Sequence, residues 1–417
     1  MTADSKPPMV PSDVRMRGFA RRSTVEQALA WQDGQSAPLA GEVVPLLEAA
    51  KRVLTRDVHS RIDVPGFDRS MMDGYAVKAS DTSGASGYNR LPLAIVGEVL
   101  PGVAFKGTVD AHQAVRIMTG APLPSGADAV LPVEKVEVEG ERIHARDEVS
   151  PGKHVGRRGE DIVAESKVFA RARCLRPQDL GVLSSIGVSQ VEVVRRPRVR
   201  IAVTGNELLP AGTPPEGSRI ADANGPMLAG LVERDGGLVI DRGILVDEPS
   251  AILEALRDDV DVVLVSGGSS VGKDDHAPVL LARHGELAVH GIAMRPSSPA
   301  GMGRLGHRLV FLLPGNPVSC LCAYDFFAGR AIRALGGRCR EWPYRRRILP
   351  LRRKLVSTVG RVDYARVLLV DQEVEPLAIS GASNLSSTTR ADGFVVIPGD
   401  SEGYPGGAAV KVYLYDE

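Results

Sequence analysis

Between residues 197 and 337 the chain alternates two hydrophobic rhythms, and that alternation predicts a doubly wound α/β domain. Unbroken aliphatic runs, RVRIAVT from Arg198, LVIDRGILV from Leu238, DVVLVS from Asp261 and RLVFLL from Arg308, read as parallel strands buried on both faces. Helical periodicity fills the intervals near 225–234, 250–257 and 277–284, and resumes from Pro317. In such sheets ligands bind beyond the carboxyl ends of the strands, which places Gly205, Asp247, Ser266 and Gly315 at one rim.

The flanking segments carry other patterns. Residues 1–20 are rich in Pro, Ser and charge and are expected to be disordered. Ser23, Thr24, Val25 and Glu26 spell an S-x-x-E capping box that opens a helix to about Asp33, and a second helical stretch is expected near 45–54. From 58 to 149 short β runs (LPLAIVGEV, AVRIMTG, AVLPVEKVEVEGERIHA) predict a small β-rich domain with a hairpin turn at Glu139 and Gly140. After Trp342 the pattern is β only, in RILPLRRKLV, VDYARVLLV, VEPLAIS, GFVVIPG and AAVKVYLY, and predicts a small barrel or sandwich. The expected division is 1–20, then 21–57 joined with 150–196, then 58–149, 197–341 and 342–417. The fold class is therefore α/β plus β, multidomain, with a doubly wound domain, a β-rich domain and a C-terminal barrel-like domain.

Composition narrows the chemistry. At 417 residues the chain exceeds one ordinary core, and 51 basic residues balance 51 acidic ones, so no broad field favours nucleic acid or an anionic membrane. Aromatics make up only 4%, too few for base-stacking platforms. Cys174, Cys320, Cys322 and Cys339 lack C-x-x-C spacing, and none of the eight histidines forms H-E-x-x-H, so zinc and redox chemistry have no support. No apolar run approaches the roughly 18 residues of a membrane span, and a cytoplasmic chain is expected.

The most informative segment is DVVLVSGGSSVGKDD, from Asp261 to Asp275. A buried strand empties into glycines whose amides can approach phosphate, followed by Asp274 and Asp275, which can hold a divalent cation against it. Gly267, Gly272 and Lys273 fit Walker A spacing, but Asp274 replaces the required hydroxyl and would repel phosphate, which argues against a P-loop ATPase. LPGNPVS, from Leu313 to Ser319, joins another strand to a helix, with Asn316 suited to the cap and Pro317 to the first turn, and offers a second anion site. Glu207, in TGNEL, reads equally as a cation ligand or a helix cap. Asp247 reads first as the N-cap of its helix, and His276 as a polar helix start. Elsewhere, Asp73 beside Gly74 reads as a type I′ turn and nothing else, Thr119 leaves a strand in RIMTGAP, and Arg157 to Asp161 reads by default as a solvated charged loop.

Taken together, VPGFDRSMMDGYAV, RIMTGAPLP, RRGEDI, TGNEL, SGGSSVGKDD, LLPGNPVS and SNLSS before DGFVVIP resemble the molybdopterin molybdotransferases, the MoeA-like family that includes the gephyrin E domain. They stand in family order from about 23 to 415. The resemblance implies an elongated four-part subunit, a cytoplasmic homodimer, and insertion of molybdate into adenylylated molybdopterin with release of AMP, assisted by Mg²⁺. It implies roles for Glu207 and Asp275 in metal handling and for Asp247, Ser266, Gly267, Gly268, Pro314, Asn316 and Pro317 in substrate binding. Asp73 and Thr119 would face the site from the other subunit, and Asp161 joins the binding set. Substrate exchange with a molybdopterin adenylyltransferase and with molybdoenzymes is implied too.

Two departures stand out. Asn206 replaces the Asp of the family's T-G-D-E, and the K-P-G-K-P segment reads Arg295, Pro296, Ser298 and Pro299, leaving one fixed cation fewer for molybdate. Arg366 and Ser386 are the candidates for compensation. The alternatives are a gephyrin-like scaffold with weak or no transferase activity, favoured by the altered Arg295 to Ser298 segment, and a general nucleotide phosphohydrolase.

Overall fold

The computed structural model describes residues 22–268 and 275–415. The expected disordered start and the residues Ser269 to Asp274 of the glycine loop lie outside them. The chain forms two compact units, a smaller one of residues 43–50 and 54–192 and a larger one of 1–42, 51–53 and 193–417.

The smaller unit is built on a six-stranded mixed sheet, in spatial order Ala129–Pro132, Gly74–Val77, Gln113–Ile117, Leu91–Val99, Arg142–Ala145 and Val136–Glu139. Leu91–Val99 and Gln113–Ile117 run parallel and the other neighbours antiparallel. Tyr75, Val77, Leu93, Leu131 and Ile143 form its core. The expected hairpin is present one residue further on: Glu139 pairs with Arg142, and Gly140, at φ +59°, turns the chain with Glu141. The second helix expected near 45–54 is absent and reduces to one 3₁₀ turn, Leu46–Glu48. Its amides go elsewhere, Leu46 N–H to Ser189 O and Leu54 N–H to Arg173 O, and Lys51 at φ +62° leaves helical space altogether. Tertiary pairing overrode a helical apolar pattern.

In the larger unit the first helix, Val25–Gln35, is capped by Thr24 rather than Ser23. The Thr24 hydroxyl accepts from Gln27 N–H, and the Gln27 side chain accepts from Thr24 N–H, a capping box shifted by one residue. The α/β domain contains β1 (Arg198–Thr204), β2 (Leu238–Leu245), β3 (Val262–Ser266), β4 (Glu286–His290), β5 (Gly301–Leu305) and β6 (Arg308–Leu313). They form one sheet in the order β2-β1-β3-β6-β5-β4. The first four in that order are parallel, and β5 and β4 add an antiparallel edge that the sequence pattern did not reveal. Four helices, α1 (Asn224–Arg234), α2 (Pro249–Arg257), α3 (Ala277–His284) and α4 (Pro317–Ala323), follow the strands as expected. Gly301 and Gly303 in β5 explain the missed edge, since GMGRL at Gly301–Leu305 carries too little apolar mass to signal a strand.

The C-terminal sheet orders Met294–Arg295, Val362–Val370, Gly393–Ile397, Ala409–Leu414 and Arg345–Pro350, with Glu373–Ala378 also paired to Val362–Val370. A bridge from Leu351 to Val374 turns the sheet back on itself around Leu349, Val367, Val395 and Val412, a half-barrel.

Candidate active site

Every loop expected at the rim leaves the carboxyl end of a parallel strand. Register fixes this, because Thr204 pairs with Leu245, Val203 with Ser266, and Ser266 with Leu313. After β1 the chain turns through Gly205, whose missing Cβ makes room for the Glu207 carboxylate; an added Cβ would lie 2.8 Å from Glu207 Oε2. After β3, Gly267 and Gly268 adopt φ +96° and +54°. A Cβ on Gly267 would lie 2.4 Å from Thr204 O, and one on Gly268 would lie 3.2 Å from Thr204 Oγ1 and 3.8 Å from Asp275 Oδ1. Only glycine permits this approach of the two strand ends. Gly315, after β6, sits against the Gly267 backbone.

Glu207 is exposed and caps no helix, because β1 is followed by a turn and the short strand Leu208–Leu209. Asp247 is not a helix cap either: α2 starts from Glu248 as N-cap, so Asp247 is left half-buried at the rim. Burial raises its carboxyl pKa above the usual range. The Glu207 charge adds to this, while the Asn206 amide, the Thr204 hydroxyl and His276 pull it back. Among the described residues neither Glu207 nor Asp247 forms an ion pair with Lys or Arg. The rim thus holds carboxylates at Glu207, Asp247 and Asp275 beside a backbone shaped by glycines.

Comparison with known proteins bears on this arrangement directly. Residues 23–187 match the MoeA N-terminal region (domain I and II), 200–334 a probable molybdopterin binding domain, and 349–415 the MoeA C-terminal region (domain IV). Molybdopterin molybdenumtransferase 2 of Mycobacterium tuberculosis is 34% identical over 383 residues, covering 89% of this chain and 94% of that protein. The chain belongs to the MoeA family. Molybdopterin molybdenumtransferase of Staphylococcus aureus is 28% identical over 408 residues, covering 94% of this chain and 95% of that one. The crystal structure of the MoeA protein of Pyrococcus horikoshii superposes with a TM-score of 0.78 at 31% identity, over 95% of this chain and all of that one.

Within this MoeA-family chain several expected ligand residues are occupied by the fold itself. The Ser266 hydroxyl is buried, accepts from Asn224 Nδ2 at 2.9 Å and lies 3.6 Å from Cys320 Sγ. The same Asn224 Nδ2 donates to Gly315 O at 2.8 Å, so this buried residue ties the two glycine loops together. Asn224 was not singled out in the sequence; its only signal is a polar residue at a helix start that follows the rim. Gly267 N–H donates to Leu313 O at 3.1 Å, so that glycine shapes the bend rather than offering its amide. At the second anion site expected at Asn316 and Pro317, polar groups are already engaged. Val318 N–H donates to Ala382 O, and the Asn316 side chain accepts from Ser383 Oγ at 2.8 Å instead of capping α4. Pro314 is buried behind this turn.

Arg366 does not present a cation to solvent. It is fully buried, and its guanidinium donates to Ala378 O, Ser380 O, Gly381 O and, at 2.7 Å, Ser387 Oγ. It holds the 378–387 loop that covers α4, while Ser386 is the exposed first residue of a short helix, Ser386–Arg390. Arg295 donates to Asp363 Oδ2 at 2.5 Å, and Ser298 Oγ is buried without a hydrogen-bond partner among the described residues.

In the smaller unit Asp73 and Thr119 come together. Asp73 Oδ1 accepts from both Thr119 N–H and Thr119 Oγ1 at 2.7 Å, and these bonds hold its carboxyl below the usual range. Gly74 makes no type I′ turn. It opens a buried strand, and a Cβ there would strike Leu131 O. The 157–161 loop is folded rather than freely solvated: Arg158 Nε pairs with Asp63 at 2.6 Å and Arg157 Nη1 with Asp68 at 2.7 Å, leaving the Asp161 side chain exposed. Among the described residues no group of three or more His, Cys, Asp or Glu is arranged to hold a metal ion, and no helix is long and apolar enough to cross a membrane.

Proposed function

We propose that this chain inserts molybdate into adenylylated molybdopterin with release of AMP, a step of molybdenum cofactor biosynthesis. The observation that carries the reading is the rim, where glycine-shaped backbone meets carboxylates at Glu207 and Asp247 that no Lys or Arg neutralises among the described residues. A phosphate-bearing substrate cannot approach bare carboxylates unless a cation lies between them. The chain-length match to proteins named molybdopterin molybdenumtransferase supports the same reading.

Mg²⁺ fits the donor set. It is a hard ion that accepts one or two carboxylates and keeps its other positions for water and phosphate, so a cage of three protein acids is not required. Glu207 and Asp275 would hold it, with Asp247 as the nearby third charge. Bound there, the ion supplies neutralisation of the charge that builds on the departing AMP phosphate. The protein's own part is positional: Gly267 and Gly268 keep the wall low, Asn224 fixes their distance from the Gly315 turn, and Asp247 disfavours an anion until charge is balanced. In a homodimer, Asp73 and Thr119 would be offered to this rim from the second subunit, and exchange with an adenylyltransferase and with molybdoenzymes would take place in the cytoplasm. Nothing in the site favours a scaffold without activity.

The test is AMP release from adenylyl-molybdopterin by purified protein with Mg²⁺ and a titration of molybdate against tungstate. Oxyanion-dependent AMP release, with metal retained on the pterin, is expected. Pterin binding without AMP release at any oxyanion concentration would overturn the transferase reading.

A further inference from the structure

The charge removed from the oxyanion segment at Ser298 has a second source nearby. Residues Met294 and Arg295 pair in parallel with Val362 and Asp363 of the C-terminal sheet. That register places two guanidinium groups on one carboxylate. Arg295 Nη2 donates to Asp363 Oδ2 at 2.5 Å, and Arg361 Nε lies 3.2 Å from Asp363 Oδ1, in ion-pair range but not aligned as a hydrogen bond. Asp363 is fully buried and also accepts from Ser357 Oγ at 2.8 Å, whereas about a third of each arginine side chain, 33% and 34%, remains exposed.

Two cations share one anion, so the cluster carries one net positive charge that no ion pair among the described residues cancels. Acceptors for the remaining donors are few among the described residues: Arg361 Nη2 reaches Thr358 Oγ1 only at 3.4 Å, and Arg295 Nε, Arg361 Nε and Ser298 Oγ have no hydrogen-bond partner there. Buried donors of this kind are costly unless a ligand satisfies them. Arg366, on the strand that carries Asp363, is instead engaged by backbone carbonyls and the Ser387 hydroxyl.

We propose that Arg361 is a further oxyanion-binding residue, acting with Arg295 on the shared Asp363 carboxylate and selecting small tetrahedral dianions. The inference rests on the transferase reading, which supplies the oxyanion substrate. Asp363 acts as a positioning residue that fixes the spacing of the two guanidiniums, and the uncancelled charge, rather than a lysine at position 298, draws the ligand in.

The test is equilibrium dialysis of molybdate against full-length protein, wild type beside Arg361→Gln and Arg361→Lys, with molybdate KM measured in the AMP-release assay. Arg361→Gln should weaken molybdate binding about tenfold or more, as loss of a charge-assisted contact predicts. The molybdate KM should rise in step, with kcat at saturating molybdate and Tm nearly unchanged; Arg361→Lys should recover part of the loss. Equal molybdate affinity in all three proteins overturns the inference while leaving the transferase reading intact. A fall in kcat and Tm without a change in molybdate affinity also overturns it, since that is the mark of a purely structural role. Wild-type protein that binds no molybdate and releases no AMP sinks the transferase reading itself.

Discussion

Two regions of the larger unit gather carboxylates and treat them in opposite ways. Beneath the α/β sheet, Asp235 and Asp325 are wholly buried, and arginines answer both: Arg234 reaches each at 2.9 Å, Arg333 reaches Asp235 at 2.8 Å, and Tyr344 donates to Asp325. Phe326, Trp342, Tyr364, Phe394 and Tyr413 pack edge-on or stacked around this network, so much of a chain poor in aromatics is concentrated at one joint. At the rim, Glu207 and Asp247 have no such partners among the described residues, and the surrounding backbone is glycine. A buried charge that the fold neutralises is structural; charges that the fold leaves for solvent and ligand mark where chemistry is done.

The sharpest way to break this contrast is to damage the joint. Asp325→Ala leaves the half-buried Arg234 beside a single acid and removes a buried acceptor of Tyr344, and should cost about 3–5 kcal/mol in chemical denaturation, whereas Glu207→Gln should leave the denaturation midpoint nearly unchanged. If both variants destabilise equally, the rim is structural and the comparison fails. The reverse holds for activity: Glu207→Gln and Asp275→Asn should each lower AMP release on the order of 10²-fold, at unchanged secondary structure by circular dichroism.

A smaller effect is expected from Gly267→Ala. Its Cβ would press on the Thr204 carbonyl at a φ of +96°, a strain of about 1–3 kcal/mol. Loss of pterin binding should accompany a lower Tm; a variant that keeps both would show that the close approach of the two strand ends is dispensable.

The smallest expected effect sharpens the comparison through pH. Because the folded pKa of Asp247 is raised above 3.8, chiefly by burial, the folded state holds its proton more tightly than the unfolded chain. The resulting penalty is absent below the unfolded value, grows as pH rises to the folded one and is constant above it. Asp247→Asn should therefore raise Tm slightly at neutral pH without divalent cation, and the gain should vanish in acid. Added Mg²⁺ should stabilise the wild type more than the variant. A variant less stable than wild type at pH 7 would mean that the Asp247 charge is already compensated.

The rim was legible because its signals are local. An unbroken Val262 to Val265 run followed by glycines reads as a buried strand and a tight turn, and turns that leave the carboxyl ends of parallel strands in one sheet share an edge. The helix expected near 45–54 failed for the opposite reason, since its amides found partners more than a hundred residues away at Arg173 and Ser189. Asn224 escaped notice because a tie between two loops has no periodicity, and the N–H groups of Arg366, read in sequence as a cation for the anion, donate to acceptors on the 378–387 loop.

What the sequence determined by itself was the alternation of buried strands and helices, the glycine turns and the ordered motifs that mark the family, all properties of neighbours along the chain. Only the tertiary structure decided which polar groups were left for a ligand. Hydrogen-bond donors and charges are satisfied by whatever folds against them, so the difference between Arg366, locked inside, and Arg361, sharing one carboxylate with Arg295, lies in contacts between distant segments.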